Sequence, residues 1–145
     1  MGNVADSLKA AMQIDGALGV ALVDYNSGMT LGTDGGGPDL DLEVAAAGTT
    51  EVIRAKMKTM SRLGLDDKIE DILITLGTQL HLLRMMSSAS GEGLFLYLCL
   101  DKARSNLAMA RRDLRVIEQQ FYMAVPSPGR AQDGQAFFPA NANQR

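Results

Sequence analysis

Two segments of this sequence, residues 17–25 (ALGVALVDY) and 94–100 (LFLYLCL), are apolar in both alternating registers. Successive side chains of a β-strand point to opposite faces of its sheet, so a strand that is apolar at nearly every position is covered on both faces. The sequence therefore predicts a sheet in which these two segments are central strands, with other elements packed on both of its faces.

The remaining periodicities place helices and shorter strands around these two segments. Helices are predicted over residues 4–14, 39–63 and 102–124, and the other strands over residues 29–32, 69–76 and 78–86. The long middle helix starts among Asp39, Asp41 and Glu43, and its later turns are basic, as the helix dipole favours. This order predicts a three-layer α+β fold, with a five-stranded antiparallel sheet and helices on both of its faces.

Composition indicates one globular domain followed by a tail. The chain has 145 residues, of which 46% are hydrophobic and 21% charged, so it can bury a core without a metal or a disulfide. Residues 1–124 carry the periodic apolar pattern. Residues 125–145 are rich in Pro, Gly, Gln, Asn and Ala, and we expect this tail to be disordered.

The same features predict where the protein works and which partners it lacks. No apolar run approaches the roughly 18 residues of a membrane span, and no basic segment followed by an apolar one opens the chain. The single cysteine, Cys99, fits a reducing compartment. The net charge of -3 argues against a protein dedicated to nucleic acid. We expect a cytoplasmic protein that neither inserts into membranes nor binds nucleic acid.

The sequence lacks the residues that most enzymatic chemistry requires. Its only histidine, His81, lies in a predicted strand, and no Gly-x-Ser-x-Gly motif provides a nucleophile. One cysteine and one histidine cannot supply the usual zinc ligands. We therefore expect no catalytic site, no metal and no cofactor, a structural or exposed role for His81, and a core position for Cys99.

Three weaker motifs have plain structural interpretations. Gly35–Gly37 precedes a helix, but no Lys-Ser/Thr follows and the helix start is acidic, so a connection is favoured over a phosphate loop. Asp24, Asn26 and Gly28 match only a fragment of a calcium loop and predict a turn. Adjacent carboxylates, Glu70 and Asp71, point to opposite faces of a strand and cannot form an acid/base pair.

The last predicted helix carries a group of arginines, a feature of surfaces that bind an acidic partner or RNA. Asp113 and Glu118 are interleaved with them, and no aromatic side chains for base stacking lie nearby. A solvated helix face is therefore favoured over a nucleic-acid surface. The arginines concerned are Arg104, Arg111, Arg112 and Arg115.

Four stretches of the chain resemble a known family. They are GALGVALVDYNSGMTLG (16–32), EVAAAGTTEVIRAKM (43–57), IEDILITLGTQLHLLR (69–84) and LDKARSNLAMARRDL (100–114). Together they are similar to the Roadblock/dynein light chain family, especially to its bacterial branch, and the resemblance extends over residues 4–124. It implies a profilin-like Roadblock domain that forms a homodimer or heterodimer. It also implies a non-enzymatic scaffold or regulator of small Ras-like GTPases, which in some bacterial members is a GTPase-activating protein.

The resemblance also implies where the dimer interface lies. In the family the long middle helix and the strand after it form this interface. The corresponding residues, at or near the interface, are Val52, Ile53, Met57, Met60, Ile72 and Ile74. The residues themselves agree, because the helix has more apolar surface than one sheet face needs, and strand 69–76 is a candidate edge strand.

Two other functions remain open at this point. A profilin-like domain can enclose a ligand between its sheet and a helix, which would make the protein a small-molecule sensor. A purely structural assembly subunit is the other possibility. Higher oligomers that persist without any GTPase would distinguish that role.

Overall fold

A computed structural model describes residues 2–88 and 91–123 of the chain. In chain order its elements are α1 (Val4–Met12), β1 (Ala17–Asp24), β2 (Thr30–Gly35), α2 (Leu42–Arg62), β3 (Asp71–Thr75), β4 (Gln79–Met85), β5 (Leu94–Asp101) and α3 (Leu107–Gln120). The tail expected at residues 125–145 lies outside the described residues.

The five strands form one antiparallel sheet in the order β2-β1-β5-β4-β3. Strands β1 and β5 are therefore neighbours inside the sheet, in a register that pairs Val20 with Leu98. The run from Val20 to Val23 and every residue from Leu94 to Leu100 are buried. The prediction that the two doubly apolar segments are central strands is confirmed.

Helices cover both faces of the sheet, as predicted. Helices α1 and α3 pack on one face through side chains such as Leu8, Ala11 and Leu114, which meet the sheet residues Leu22 and Leu96. Helix α2 packs on the opposite face against Val23, Phe95 and other residues of that side. The fold is the predicted three-layer α+β arrangement.

Side-chain caps decide where two helices begin, and the predicted starts at residues 39 and 102 are too early. The Asp41 carboxylate accepts hydrogen bonds from the Glu43 and Val44 amides at 3.1 and 3.2 Å, so α2 begins at Leu42. The Asn106 side chain accepts from the Met109 amide at 3.1 Å, so α3 begins at Leu107 after a short 3₁₀ turn over Lys102–Arg104.

Strand β2 is longer than the sequence predicts, because it ends at Gly35 and not at residue 32. The pairing with β1 continues to Gly19 opposite Gly35, which has a φ of 73°. A Cβ atom at position 35 would lie 2.7 Å from the Leu18 carbonyl oxygen. Gly35, predicted to belong to a connection, therefore allows the two strands to stay paired at close approach.

Candidate interaction surface on helix α2 and strand β3

Strand β3 is an edge of the sheet. It pairs with β4 on one side, from Asp71 opposite Arg84 to Thr75 opposite Leu80, and no strand of the described residues pairs with its other side. Ile72 and Ile74 lie opposite Leu83 and His81 and are both partly exposed on the α2 side of the sheet. An apolar edge of this kind is a template for another chain.

Helix α2 has two different apolar faces. One face is buried against the sheet through Leu42, Ala46, Thr50 and Ile53. At about 100° per residue, a second row of side chains lies on the nearly opposite side of the helix and faces away from the sheet. We name this row the α2 flank, and it consists of Val44, Gly48, Val52, Ala55 and Thr59, all exposed.

The α2 flank allows another element to approach closely. Val44 and Val52 keep 69% and 43% of their surface exposed, large fractions for valine in a single domain. Between them, a Cβ atom built on Gly48 would meet nothing within 4 Å. Small residues between exposed valines form a shallow apolar surface with room for a second helix.

The interface residues of α2 that the resemblance implies do not all lie on one face of the helix. Val52 lies on the α2 flank, whereas the Ile53 side chain is fully buried in the chain's own core and lies only near any interface. Met57 and Met60 are partly exposed in the second half of α2, and Met57 also packs against the core. Sequence reasoning missed Val44, Gly48 and Ala55, although their spacing of four and seven residues is a helical signal.

His81 has a structural position on the same side of the sheet. Its Nδ1 lies 3.1 Å from the Tyr97 hydroxyl, and its Nε2 lies 2.8 Å from Oε1 of Gln79. In a neutral ring, Nδ1 accepts from Tyr97 and Nε2–H donates to Gln79, so both ring nitrogens are satisfied. Burial lowers the pKa of His81 and raises the pKa of Tyr97 and of Cys99. Cys99 is fully buried, which confirms its predicted core position.

A row of charges on the other side of the sheet attaches β3 and β4 to α3. Arg111 donates from Nε and Nη2 to the two carboxylate oxygens of Asp71 at 2.9 and 3.1 Å. Arg84, which lies opposite Asp71, donates to the fully buried Glu118 at 3.3 Å. Glu118 also accepts from the amide and the hydroxyl of Ser87. Arg111, predicted on a solvated helix face, is therefore partly exposed and also paired with Asp71.

The predicted turn after β1 is confirmed, since the Asn26 amide donates to Asp24 Oδ1 at 2.8 Å.

In the part of the chain that the structure describes, no three metal-ligating side chains lie close together. No helix of this part is long and apolar enough to cross a membrane.

A three-layer domain with a five-stranded antiparallel sheet and one long helix on one face defines a profilin-like class of fold. No family model matches the sequence, and no curated protein matches it either. Solved structures do match, and they place the chain in the Roadblock/LC7 fold that the resemblance implies.

Three of these structures show the extent of the match. A Roadblock/LC7 domain from Streptomyces avermitilis has a TM-score of 0.67 at 13% identity, covering 81% of this chain and 93% of that one. Myxococcus xanthus MglB has a TM-score of 0.64 at 17% identity, with 79% and 78% covered. The gliding protein MglB from Thermus thermophilus has a TM-score of 0.67 at 15% identity, with 80% and 83% covered.

Proposed function

We propose that the protein is a dimeric, non-enzymatic regulator or scaffold for a small Ras-like GTPase. The observation that supports the dimer is the unpaired edge strand β3. Its side chains Ile72 and Ile74 are partly exposed on the face of the sheet that α2 covers. The GTPase is supported by the Roadblock fold and by the family resemblance of the sequence.

A dimer with its twofold axis beside β3 would cover both the unpaired edge of β3 and exposed apolar side chains of α2. Two copies of β3 pair antiparallel and close each other's edge, which joins the two sheets into one. The two α2 helices then lie side by side on the same face of the joined sheet, in contact near Val52, the α2 flank residue closest to the buried row. Such a contact is isologous, so each residue serves both partners. Ile72, Ile74, Met57 and Met60 border it, while Ile53 supports it from the core.

Light scattering after gel filtration tests the dimer. We expect twice the mass of the chain at micromolar concentration, because a stable interface of about 800 Å² per partner is within the reach of a 21-residue helix and an edge strand. A monomer at tens of micromolar contradicts the proposal.

A turnover assay with a purified Ras-like GTPase of the same organism tests the regulatory part. We expect the protein alone to hydrolyse no GTP, since the sequence has no phosphate loop with Lys-Ser/Thr. A change in the rate of GTP hydrolysis or nucleotide release on addition of the dimer supports regulation. GTP turnover by the protein alone would contradict a non-enzymatic role.

A structural assembly subunit is the second candidate. One of the similar solved structures is an MglB with tetrameric arrangement, with a TM-score of 0.62 at 15% identity. Oligomers larger than a dimer that form without a GTPase, together with no effect on any GTPase, favour this candidate.

A further inference from the structure

Strand β2, the opposite edge of the sheet, has a backbone amide that points outward without a partner strand. The Gly36 amide donates to the Leu18 carbonyl at 2.9 Å. Ladder hydrogen bonds alternate along an antiparallel strand, so the amides of Gly32 and Asp34 point to β1 and those of Thr33 and Gly35 point outward. The Asp34 side chain accepts from the Gly35 amide at 2.8 Å. Within the described residues, Thr33 is left as the outward donor available to an added strand.

Apolar side chains border both ends of this edge. At its start, Met29 and Leu31 expose 70% and 40% of their surface. At its end, Thr33 and Gly35 border an open cleft of about 340 Å³ whose walls include Pro38, Leu40 and Leu42. An extended segment paired with β2 could therefore place one side chain in the cleft.

The described chain ends close to this edge. The Tyr122 amide donates to the Gly2 carbonyl at 2.6 Å, so the last described residues lie beside the start of α1. Helix α1 lies on β2, and a Cβ atom built on Gly32 would be 3.1 Å from Cγ1 of Val4. Residues 124–145 therefore start from a point beside β2.

The sequence of residues 124–145 contains one candidate occupant. Its only large apolar side chains are Val125, Phe137 and Phe138, and Val125 is too close to Met123 to reach along β2. Phe137 follows Met123 by 14 positions, and an unstructured chain of that length spans about 20 Å on average. Asp41 and Glu43 line the cleft, and residues 124–145 carry Arg130 and Arg145 against a single acidic side chain, Asp133, so the side-chain charges of the segment are net positive.

We propose that residues 136–139 (Ala-Phe-Phe-Pro) of the same chain pair with β2 as a short added strand. The neighbouring phenylalanines point to opposite faces, and one ring fills the cleft beside Leu40 and Leu42. Pro139 lacks an amide proton and ends the pairing. Residues 124–135 are the linker, and a tether of this length supplies the segment at a millimolar effective concentration. The added strand closes the β2 edge independently of any dimer at β3.

A tryptophan reporter tests this pairing in the full chain, which contains no tryptophan. We expect Phe137→Trp or Phe138→Trp to give blue-shifted emission that is protected from a soluble quencher. Thr33→Pro removes the outward amide and should return the emission to that of solvent-exposed tryptophan. Thr33→Val is the matched control, because it keeps the amide and should leave the blue shift.

Two results overturn the proposal. The first is solvent-like emission from both reporters, or a blue shift that Thr33→Pro leaves unchanged in a folded protein. The second is a blue shift that depends on protein concentration, since it would come from the segment of another copy.

Hydrogen exchange gives a test that leaves β2 unaltered. In the full chain, the double variant Phe137→Ser, Phe138→Ser should increase exchange of the Thr33 amide by about tenfold. The amides of β5 serve as the internal control and should be unaffected. Equal exchange of Thr33 in both proteins overturns the proposal.

Discussion

Glu118 shows how a single residue connects the layers of this domain. Its carboxylate is fully buried, yet the Arg84 guanidinium and the Ser87 amide satisfy both of its oxygens. A buried charge of this kind is tolerated because its partners are in place. The result is a polar connection between α3 and the end of β4 inside an otherwise apolar layer.

Removal of this carboxylate should destabilise the fold strongly. Glu118→Ala leaves the Arg84 charge largely buried without its partner, and we expect a loss of about 3–5 kcal/mol in the free energy of unfolding. Urea denaturation measures it. Arg112→Ala, an exposed site on the same helix, is the control and should change the free energy by less than about 0.5 kcal/mol. A small loss for Glu118→Ala would show that water replaces the ion pair.

The titration of His81 provides a second test at the residue scale. Burial lowers its pKa below the ordinary 6.5, because desolvation disfavours the charged ring. The unfolded chain therefore binds more protons than the folded one just below pH 6.5, and stability falls as the pH drops through this range. An NMR titration of this one histidine should give a pKa under 6.5. A pKa at or above 6.5 contradicts the burial of this ring.

At the scale of elements, the sequence predicts those parts of the fold that periodic burial determines. The central strands are predicted because nearly every residue from Leu94 to Leu100 is apolar. The α2 flank is missed because Gly48, Ala55 and Thr59 contribute little hydrophobicity, and only their exposure in the folded domain reveals them. The ion pair of Asp71 and Arg111 joins residues forty positions apart, and no local pattern indicates such a pair.

A charge on the α2 flank should separate the dimer while the domain stays folded. Val52→Glu brings two carboxylates together across the proposed twofold axis, and each desolvated charge costs several kcal/mol. Val116→Glu on α3 is a matched control, since Val52 and Val116 are 43% and 42% exposed on helices. Light scattering should show a monomer for Val52→Glu and a dimer for Val116→Glu. Equal masses for both variants would place the interface elsewhere.

The whole molecule combines a closed core with two sheet edges that differ in character. The β3 edge carries the partly exposed Ile72 and Ile74, whereas the β2 edge is rich in glycine and lies beside the end of the described chain. The proposed dimer and the proposed added strand close one edge each. The layers and the central strands can be predicted from the sequence, because hydrophobic patterning dictates them. The identity of a partner cannot be predicted in this way, because it depends on surface residues with no periodic pattern.

Direct binding to a GTPase tests the central proposal, and the organism's own Ras-like GTPases are the partners to use. Each is loaded with GDP or with a non-hydrolysable GTP analogue and titrated with the full-length protein by calorimetry. We predict saturable binding of the dimer to at least one of them, with an affinity that differs between the two nucleotide states, since a regulator must distinguish them. Absence of binding in both states at tens of micromolar, with the dimer intact, would contradict the proposed function.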